Sequence, residues 1–535
     1  MIDHSPVRLV FIRICIFLLQ HAPWIEASLL LVPPLFIPIC SPWLIAVSTA
    51  LAGLLVLETA FAIFIYRPHK SRLKRLAEHP PPLTRDERRS LFERCIANIP
   101  NLERYLGLWF LGANPSEIKR DNVRDFLLWA FFDRDGIQPA PYSDDETICS
   151  HEEELDAYIH RSETLLGRTL PPGRGAAIPL RLTLDPIDTC YHSVIWYLII
   201  ALLDLTTHAH LRLAGFTHHH PPTTIATTFP PTPFPGARRL TSPSSLPYWH
   251  RPHTSPAHRP ILFLHGIGIG LWPYTSFLTS LNPSTRDNDN IGILALSLLP
   301  ISSRLTTPPL SRSAFLSELT SLLATHPEFA NGFTLVSHSY GSVLTTHILH
   351  SPELSPLVKS LVMIDPVSIL LHLPDVAYNF TRRPPRSANE WQLWYFASMD
   401  VGVAGVLGRH FFWRENVIWR EELTSFSGDG RVDGEGEAGD RVRGDGKRKV
   451  AVCLAGKDLI VDTRTVARYL LSEGDFGDVP EEDGFDTGVD WEMSGPEGVE
   501  VLWFAGLDHA QVFEGRRSRE RVAEVVTRYC EVSGG

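Results

Sequence analysis

The chain has 535 residues, is 44% hydrophobic and carries a formal net charge of -11 at pH 7. That length supports a large core and more than one structural unit, and the acidic balance, heaviest in the C-terminal third, offers no basic face to nucleic acid. Seven scattered cysteines without a C-x-x-C pair argue against a disulfide framework or a zinc cage and suit a reducing compartment.

Residues 1–75 read as a membrane anchor of one or two spans. Within them, 43–66 (WLIAVSTALAGLLVLETAFAIFIY) hold a single ionisable side chain of consequence, Glu58, and exceed the ~20 residues that cross a hydrocarbon layer. Two shorter apolar stretches precede it. Residues 9–19 are interrupted by Arg13, and 27–40 are broken by Pro33, Pro34 and Pro38; either could supply a second span or a re-entrant arm. Arg13 also spoils the apolar core that a cleaved signal peptide needs. Arg67, Lys70, Arg72, Lys74 and Arg75 come directly after the best span, and such a cluster stays cytoplasmic, which puts the downstream chain in the cytosol. The competing reading is an apolar helical hairpin packed on the soluble part.

Residues 76–216 carry a helical pattern expected to pack on or near the core formed by the C-terminal half of the chain. Thr84-x-x-Glu87 resembles a capping box, the apolar positions of TRDERRSLFERCIANI recur at three and four, and Asn114-Pro-Ser-Glu117 reads as another helix start. The apolar run 193–203 is too short for a span and reads as a core helix or a segment dipping into the membrane face. Residues 217–259, rich in Pro, Thr, Ser and His, read as a linker or surface loop. The consecutive His218, His219 and His220 cannot easily converge on one ion, so they read as solvated and no metal ligand is assigned.

From 260 to 535 the texture changes to short, nearly continuous apolar runs (261–265, 291–296, 333–337, 360–364, 450–455, 499–504) alternating with helical patterns (313–326, 342–350, 463–471, 517–529). Buried parallel strands covered by helices produce this alternation, so the expected architecture is α/β, a doubly wound, mostly parallel sheet. An aromatic-rich insertion at about 366–425 is expected to form a cap over a site or a small second core. The Gly/Asp/Glu-rich segments 427–447 and 472–498 lack the apolar area to fold alone and have no calcium-loop spacing, so they read as mobile acidic loops.

In Val336-Ser-His-Ser339-Tyr-Gly341 a serine sits just after an expected strand and just before an expected helix. That is the setting in which a G-x-S-x-G turn presents a nucleophile, because small residues are needed where the two backbones crowd. Gly341 fits; Ser337 stands where the first glycine is usual. The string His265-Gly-Ile-Gly-Ile-Gly270 comes after another expected strand, and its loop can offer a backbone N–H from Ile267 or Gly268 to a developing oxyanion, with the N–H of Tyr340 as the second donor. Asp458 closes the expected strand 450–455, and His509 lies just past 499–504, giving the chain order serine, acid, histidine.

Taken together, HGIGIG, VSHSYGS, GKDLIV and GLDHAQVF resemble the α/β-hydrolase superfamily, and among its members the membrane-anchored hydrolase-like proteins of fungi. The resemblance covers the last half of the chain. It implies that Ser339 is the nucleophile, His509 the general base and Asp458 the acid that orients it, with Asp365 at the end of 360–364 as the alternative acid. Asp508 reads as a loop-ordering carboxylate, Asp462 as a helix cap, and His338, His347 and His350 as packing or surface residues. The implied activity is that of a serine esterase or lipase-like hydrolase acting on a hydrophobic ester through an acyl-enzyme, with no cofactor and no nucleic-acid partner. Two alternatives share the sequence: a catalytically silent membrane protein that binds a ligand or partner, favoured by Ser337, and an acyltransferase using the same three residues. Acyl and alcohol identity, oligomeric state and the membrane concerned are not encoded in any string.

Overall fold

The computed structural model describes residues 5–31, 42–135, 145–221, 227–231, 238–239, 245–282, 289–426, 447–472 and 488–532. The apolar runs become strands because both faces of their pleat find cover. Ten strands are present among these residues: β1 (Thr217–His220), β2 (Arg238–Arg239), β3 (Tyr248–Arg251), β4 (Ile261–Leu264), β5 (Ile293–Leu296), β6 (Phe333–His338), β7 (Val358–Ile364), β8 (Lys449–Ala455), β9 (Trp491–Ser494) and β10 (Val499–Phe504). They form one sheet in the order β2-β1-β3-β5-β4-β6-β7-β8-β10-β9. β5, β4, β6, β7, β8 and β10 run parallel, and β3 and β9 are antiparallel to their neighbours on either side of that block.

Alternate residues of each strand enter different cores. Leu262, Leu264 and Leu335 pack with helices Arg312–Ala324, Gly341–Leu349 and Thr463–Leu471, whereas Ile261, Phe263 and Val336 pack with Thr275–Ser280 and Arg516–Cys530. The order β1-β3-β5-β4-β6-β7-β8-β10, with only its second strand reversed, is the α/β-hydrolase sheet that the sequence leads one to expect.

Three expectations need correction. Residues 217–259 are not a linker: β1 and β3 lie there, and the sheet begins at Thr217 rather than near 260. Nor are the consecutive histidines solvated. His218 and His220 are buried, His218 lies against Trp249 and His219 stacks on Tyr248 with ring centroids 4.7 Å apart. Neutral imidazole is flat and weakly polar on its faces, so it packs in a sheet like a small aromatic; burial, then neighbouring His220, push His218 down to about 3. In the acidic segment 472–498, β9 pairs antiparallel with β10, held by Trp491 stacked on Trp503 at 5.5 Å. Residues 473–487 of that segment and 427–446 of the other loop lie outside the described residues.

Among the described residues, two helices are long and apolar enough to cross a membrane: Ile45–Arg72, of 28 residues, and Val194–Leu213, of 20. The second corrects the reading of 193–203 as too short, since helical geometry continues ten residues past the apolar run. Pro6–Gln20 and Ala22–Leu31 form a further apolar pair bent by 70°. Glu58, the one acid of the first long helix, is buried; it accepts from the Tyr191 hydroxyl and, at 2.9 Å, from the Val194 N–H, a carboxylate at the positive end of the second long helix.

The insertion after β7 folds into the helices Pro374–Thr381, Ala388–Leu393, Val401–Arg409, Trp413–Asn416 and Arg420–Thr424. Arg409 donates to the carbonyls of Arg75 (2.6 Å) and Thr183 (3.3 Å), so chain just past the first long helix is tied directly to this insertion. Thr84 and Glu87 form the expected capping box at the start of helix Arg85–Ala97.

Candidate active site

β6 ends at His338 and the next helix begins at Gly341, which leaves Ser339 and Tyr340 to make the turn. Ser339 adopts φ +51°, a left-handed conformation that costs a non-glycine residue on the order of 1 kcal/mol or more and persists only where the surroundings impose it. They do so here. Ser342 Oγ donates to the Ser339 carbonyl at 2.7 Å and accepts from the N–H groups of Val367 (3.1 Å) and Ser368 (3.2 Å), clasping the turn to the chain after β7. A Cβ on Gly341 would lie 2.3 Å from the Leu264 carbonyl oxygen, so helix and β4 can approach only with glycine there. Gly341→Ala is therefore expected to destabilise the fold by about 2 kcal/mol or more, read as a lowered melting temperature, because the obstacle is backbone and cannot swing aside. Ser337, the departure from the usual motif, lies in β6 between Leu264 and Met363, fully buried, and the turn forms with it in place.

At the carboxyl ends of β6, β8 and β10 three side chains converge. His509 Nε2 lies 2.8 Å from Ser339 Oγ, and His509 Nδ1 donates to Asp458 Oδ2 at 2.7 Å. Asp458 is held in turn by its Oδ1, which accepts from the N–H groups of Ile460 (2.7 Å) and Val461 (2.9 Å). Asp508 orders the loops as expected: Oδ1 accepts from Leu459 N–H (3.0 Å) and from its neighbour His509 N–H (2.7 Å), and Oδ2 from Asn389 Nδ2 (2.8 Å), a cap residue. Asp365 is close but bonded elsewhere. Its oxygens accept from Ala455 N–H (3.0 Å) and Ala510 N–H (2.9 Å), so it fastens the loop carrying His509 to β8 rather than facing the imidazole edge.

Burial works against a charged His509, but the Asp458 carboxylate, with Asp365 and Asp508 adding smaller attractions, outweighs it and raises the imidazole to about 9. Burial chiefly, with the like charge of Asp458, pushes Asp365 up to about 7 against the pull of His509. His338, next to the serine, is held neutral by burial and by the proximity of His509, and its Nδ1 lies 2.7 Å from the Tyr274 hydroxyl.

The loop after β4 is fixed by residues that sequence reasoning passed over. The Leu298 N–H donates to His265 Nε2 at 2.9 Å, which sets the tautomer and leaves Nδ1–H to donate to the Gly266 carbonyl at 2.8 Å. Gly266 N–H donates to the Tyr274 hydroxyl at 3.2 Å, and a Cβ on Gly266 would press on the His338 ring (2.7 Å) and Ser339 Cβ (2.8 Å). Of the two candidate oxyanion donors in this loop, Gly268 is spent: its N–H donates to the Ile301 carbonyl at 3.0 Å. The N–H groups of Ile267 and Tyr340 have no backbone acceptor among the described residues.

Ser339, Ile267 and Tyr340 line one narrow, mainly apolar cavity of about 40 Å³. Its walls come from the cap (Phe380, Phe411) and from the helical region before the sheet (Trp109, Trp129). Tyr340 also borders a larger groove of about 900 Å³, lined by Leu298, Val343 and Phe412 among others. His347 and His350 bond to Asn416 and Glu422, away from the serine.

No protein-family model matches the chain, and no curated protein matches it in sequence. Among solved structures it is similar to a membrane phospholipase A described as a bacterial virulence factor, at 12% identity and a TM-score of 0.34 over 63% of this chain and 92% of that one. A carboxylesterase from Bacillus subtilis is similar at 10% identity and a TM-score of 0.32, over 62% and 98% of the two chains. Carboxyl esterase 2 from the mycorrhizal fungus Tuber melanosporum is similar at 14% identity and a TM-score of 0.32, over 53% and 80%. At such identities and scores the likeness says nothing about the reaction; the fold rests on the strand order and register of this chain.

Proposed function

We propose that the protein is a membrane-anchored serine hydrolase that cleaves a hydrophobic ester through an acyl-enzyme. The observation that carries this reading is the unbroken relay Ser339 Oγ, His509 Nε2, His509 Nδ1, Asp458 Oδ2, with contacts of 2.8 and 2.7 Å, at a serine held in a strained turn. A serine hydroxyl is barely ionised at neutral pH and attacks a carbonyl only if a base takes its proton as the bond forms. His509 Nε2 takes it, and the Asp458 carboxylate holds the tautomer and offsets the charge of the imidazolium. The oxygen that becomes negative meets the N–H groups of Ile267 and Tyr340. The tetrahedral centre then collapses, His509 Nε2–H protonates the departing alkoxide, and water, deprotonated by the same nitrogen, releases the acid.

The apolar cavity at Ser339 favours a hydrophobic acyl or alcohol group, and its small volume implies that cap and helical walls part to admit one. Membrane anchoring is supported by the long apolar helix Ile45–Arg72 and by the bond from the cap's Arg409 to the chain just past it; a full crossing by Val194–Leu213 as well would part 73–193 from the sheet domain on which it packs. The basic cluster from Arg67 to Arg75, at the end of that helix, favours a cytosolic catalytic domain. The sequon Asn379-Phe-Thr381 tests that placement: a glycosidase-sensitive mass shift would put this domain in the lumen instead.

A fluorophosphonate applied to the full-length protein in detergent is expected to add one phosphonyl group, and peptide mass spectrometry to find it on Ser339. A folded protein that resists the reagent, or carries the adduct elsewhere, has no serine hydrolase centre at this turn.

A further inference from the structure

Away from the catalytic centre, one carboxylate oxygen faces two imidazoles. His250, on β3, places Nε2 at 2.9 Å from Glu328 Oε1; His326 places Nδ1 at 3.6 Å from the same oxygen. His326 and Glu328 flank Pro327 in the turn between helix Arg312–Ala324 and β6. One donor atom from each of the three residues lies within 4.8 Å of the other two. A tetrahedral zinc ion with bonds of ~2.0–2.1 Å holds its donor atoms about 3.3–3.4 Å apart. The observed 2.9 and 3.6 Å from the carboxylate oxygen bracket that spacing, and the two imidazole nitrogens lie within 4.8 Å of each other, so three of four positions are roughly assembled.

The far side of His326 has a partner able to hold the tautomer that a cation ligand needs. Its Nε2 lies 3.1 Å from the Tyr248 hydroxyl. In the tautomer that donates Nε2–H there, Nδ1 presents its lone pair on the side of Glu328 Oε1, where a cation would be shared between the two. The side chains of His250, His326 and Glu328 retain 15%, 11% and 18% exposure, so none of the three is sealed from solvent.

We propose that His250, His326 and Glu328 form a divalent-cation site, of a donor set suited to Zn²⁺, that staples β3 to the turn leading into β6. Two imidazoles and one carboxylate select against the all-oxygen ions calcium and magnesium. The ion joins an early strand of the sheet to the one whose far end carries Ser339. It takes no part in the proposed ester cleavage, so the two readings fail independently.

The test uses full-length, tag-free protein in detergent, dialysed against EDTA and then titrated with Zn²⁺ by equilibrium dialysis, with Co²⁺ as a visible probe of four-coordinate geometry. Wild type is expected to take up one ion per chain and to melt at a higher temperature with Zn²⁺ than with EDTA. Glu328→Gln, which keeps shape and removes charge, and His250→Ala should each bind at least ~10-fold more weakly, the scale reached when even an outer partner of a ligand is lost. Folding of each variant is checked by circular dichroism, and Glu328→Gln alone suffices if His250→Ala does not fold. Wild type that takes up no ion at micromolar Zn²⁺ overturns the proposal, as does uptake that the folded variants retain undiminished.

Discussion

Ser339→Ala is expected to lower the turnover of a short-chain ester by about 10⁶-fold while leaving the protein folded. Removing the nucleophile of such a relay costs nearly as much as removing all of its members, because base and acid have nothing left to activate. The structural cost is small by comparison. The substitution deletes one hydrogen bond, that between Ser339 Oγ and His509 Nε2, worth about 1 kcal/mol, and leaves the clasp from Ser342 to the Ser339 carbonyl intact. Steady-state hydrolysis and a melting curve on the same preparation separate the two effects. A folded alanine variant that keeps a tenth of wild-type turnover would move the chemistry to another residue.

Asp458→Asn is expected to lower kcat by roughly 10⁴-fold and to move the pH profile as well. The substitution keeps the size of the side chain but turns an acceptor into a donor opposite His509 Nδ1. The imidazole then carries its proton on Nε2, the nitrogen that must accept one from Ser339. In the wild type His509 is raised to about 9, and only its neutral form can act as a base. The kcat/KM of the free enzyme should therefore fall tenfold for each pH unit below that value. Deleting the negative charge of Asp458 makes the imidazolium less favourable, so the limb moves to lower pH even as its plateau drops. Asp365→Asn separates the two acids. Asp365 bonds to backbone N–H groups and not to the imidazole, so its loss should shift the limb less and spare most of kcat.

The same titration has a consequence for stability. The folded-state value of His509 lies above the ordinary 6.5. Its contribution to stability is thus fully present below about pH 6.5 and is lost as pH rises through about 9. Rate and stability should respond in opposite directions across that window, a pattern that a merely packed histidine would not give.

Several parts of the site are legible in the amino-acid order. Gly341 and Ser339 are marked by their setting between strand and helix, and the succession of serine, acid and histidine emerges from where each sits after its apolar run. Such features depend on neighbours a few residues away, where backbone sterics and the two-residue and 3.6-residue periods act. Other parts are hidden. β1 and β3 are four residues long and carry histidines and aromatics in a Pro- and Thr-rich setting, so composition masks them. Gly268 looks as good a donor as Ile267 until the carbonyl of Ile301 claims its N–H.

The amino-acid order is enough to establish the apolar length of 43–66, suited to a membrane, the alternation that builds a parallel sheet, and the turn that lifts Ser339 from it. Folding alone settles which carboxylate meets the imidazole, since His509 stands 170 residues from Ser339 and 51 from Asp458 in the chain. It also settles that Asp365 serves the backbone and that His250 meets Glu328, 78 residues away. The reason is physical: a strand or a turn is shaped by steric limits within a few bonds. A hydrogen bond between distant loops exists only after packing has fixed both, to within a few tenths of an ångström.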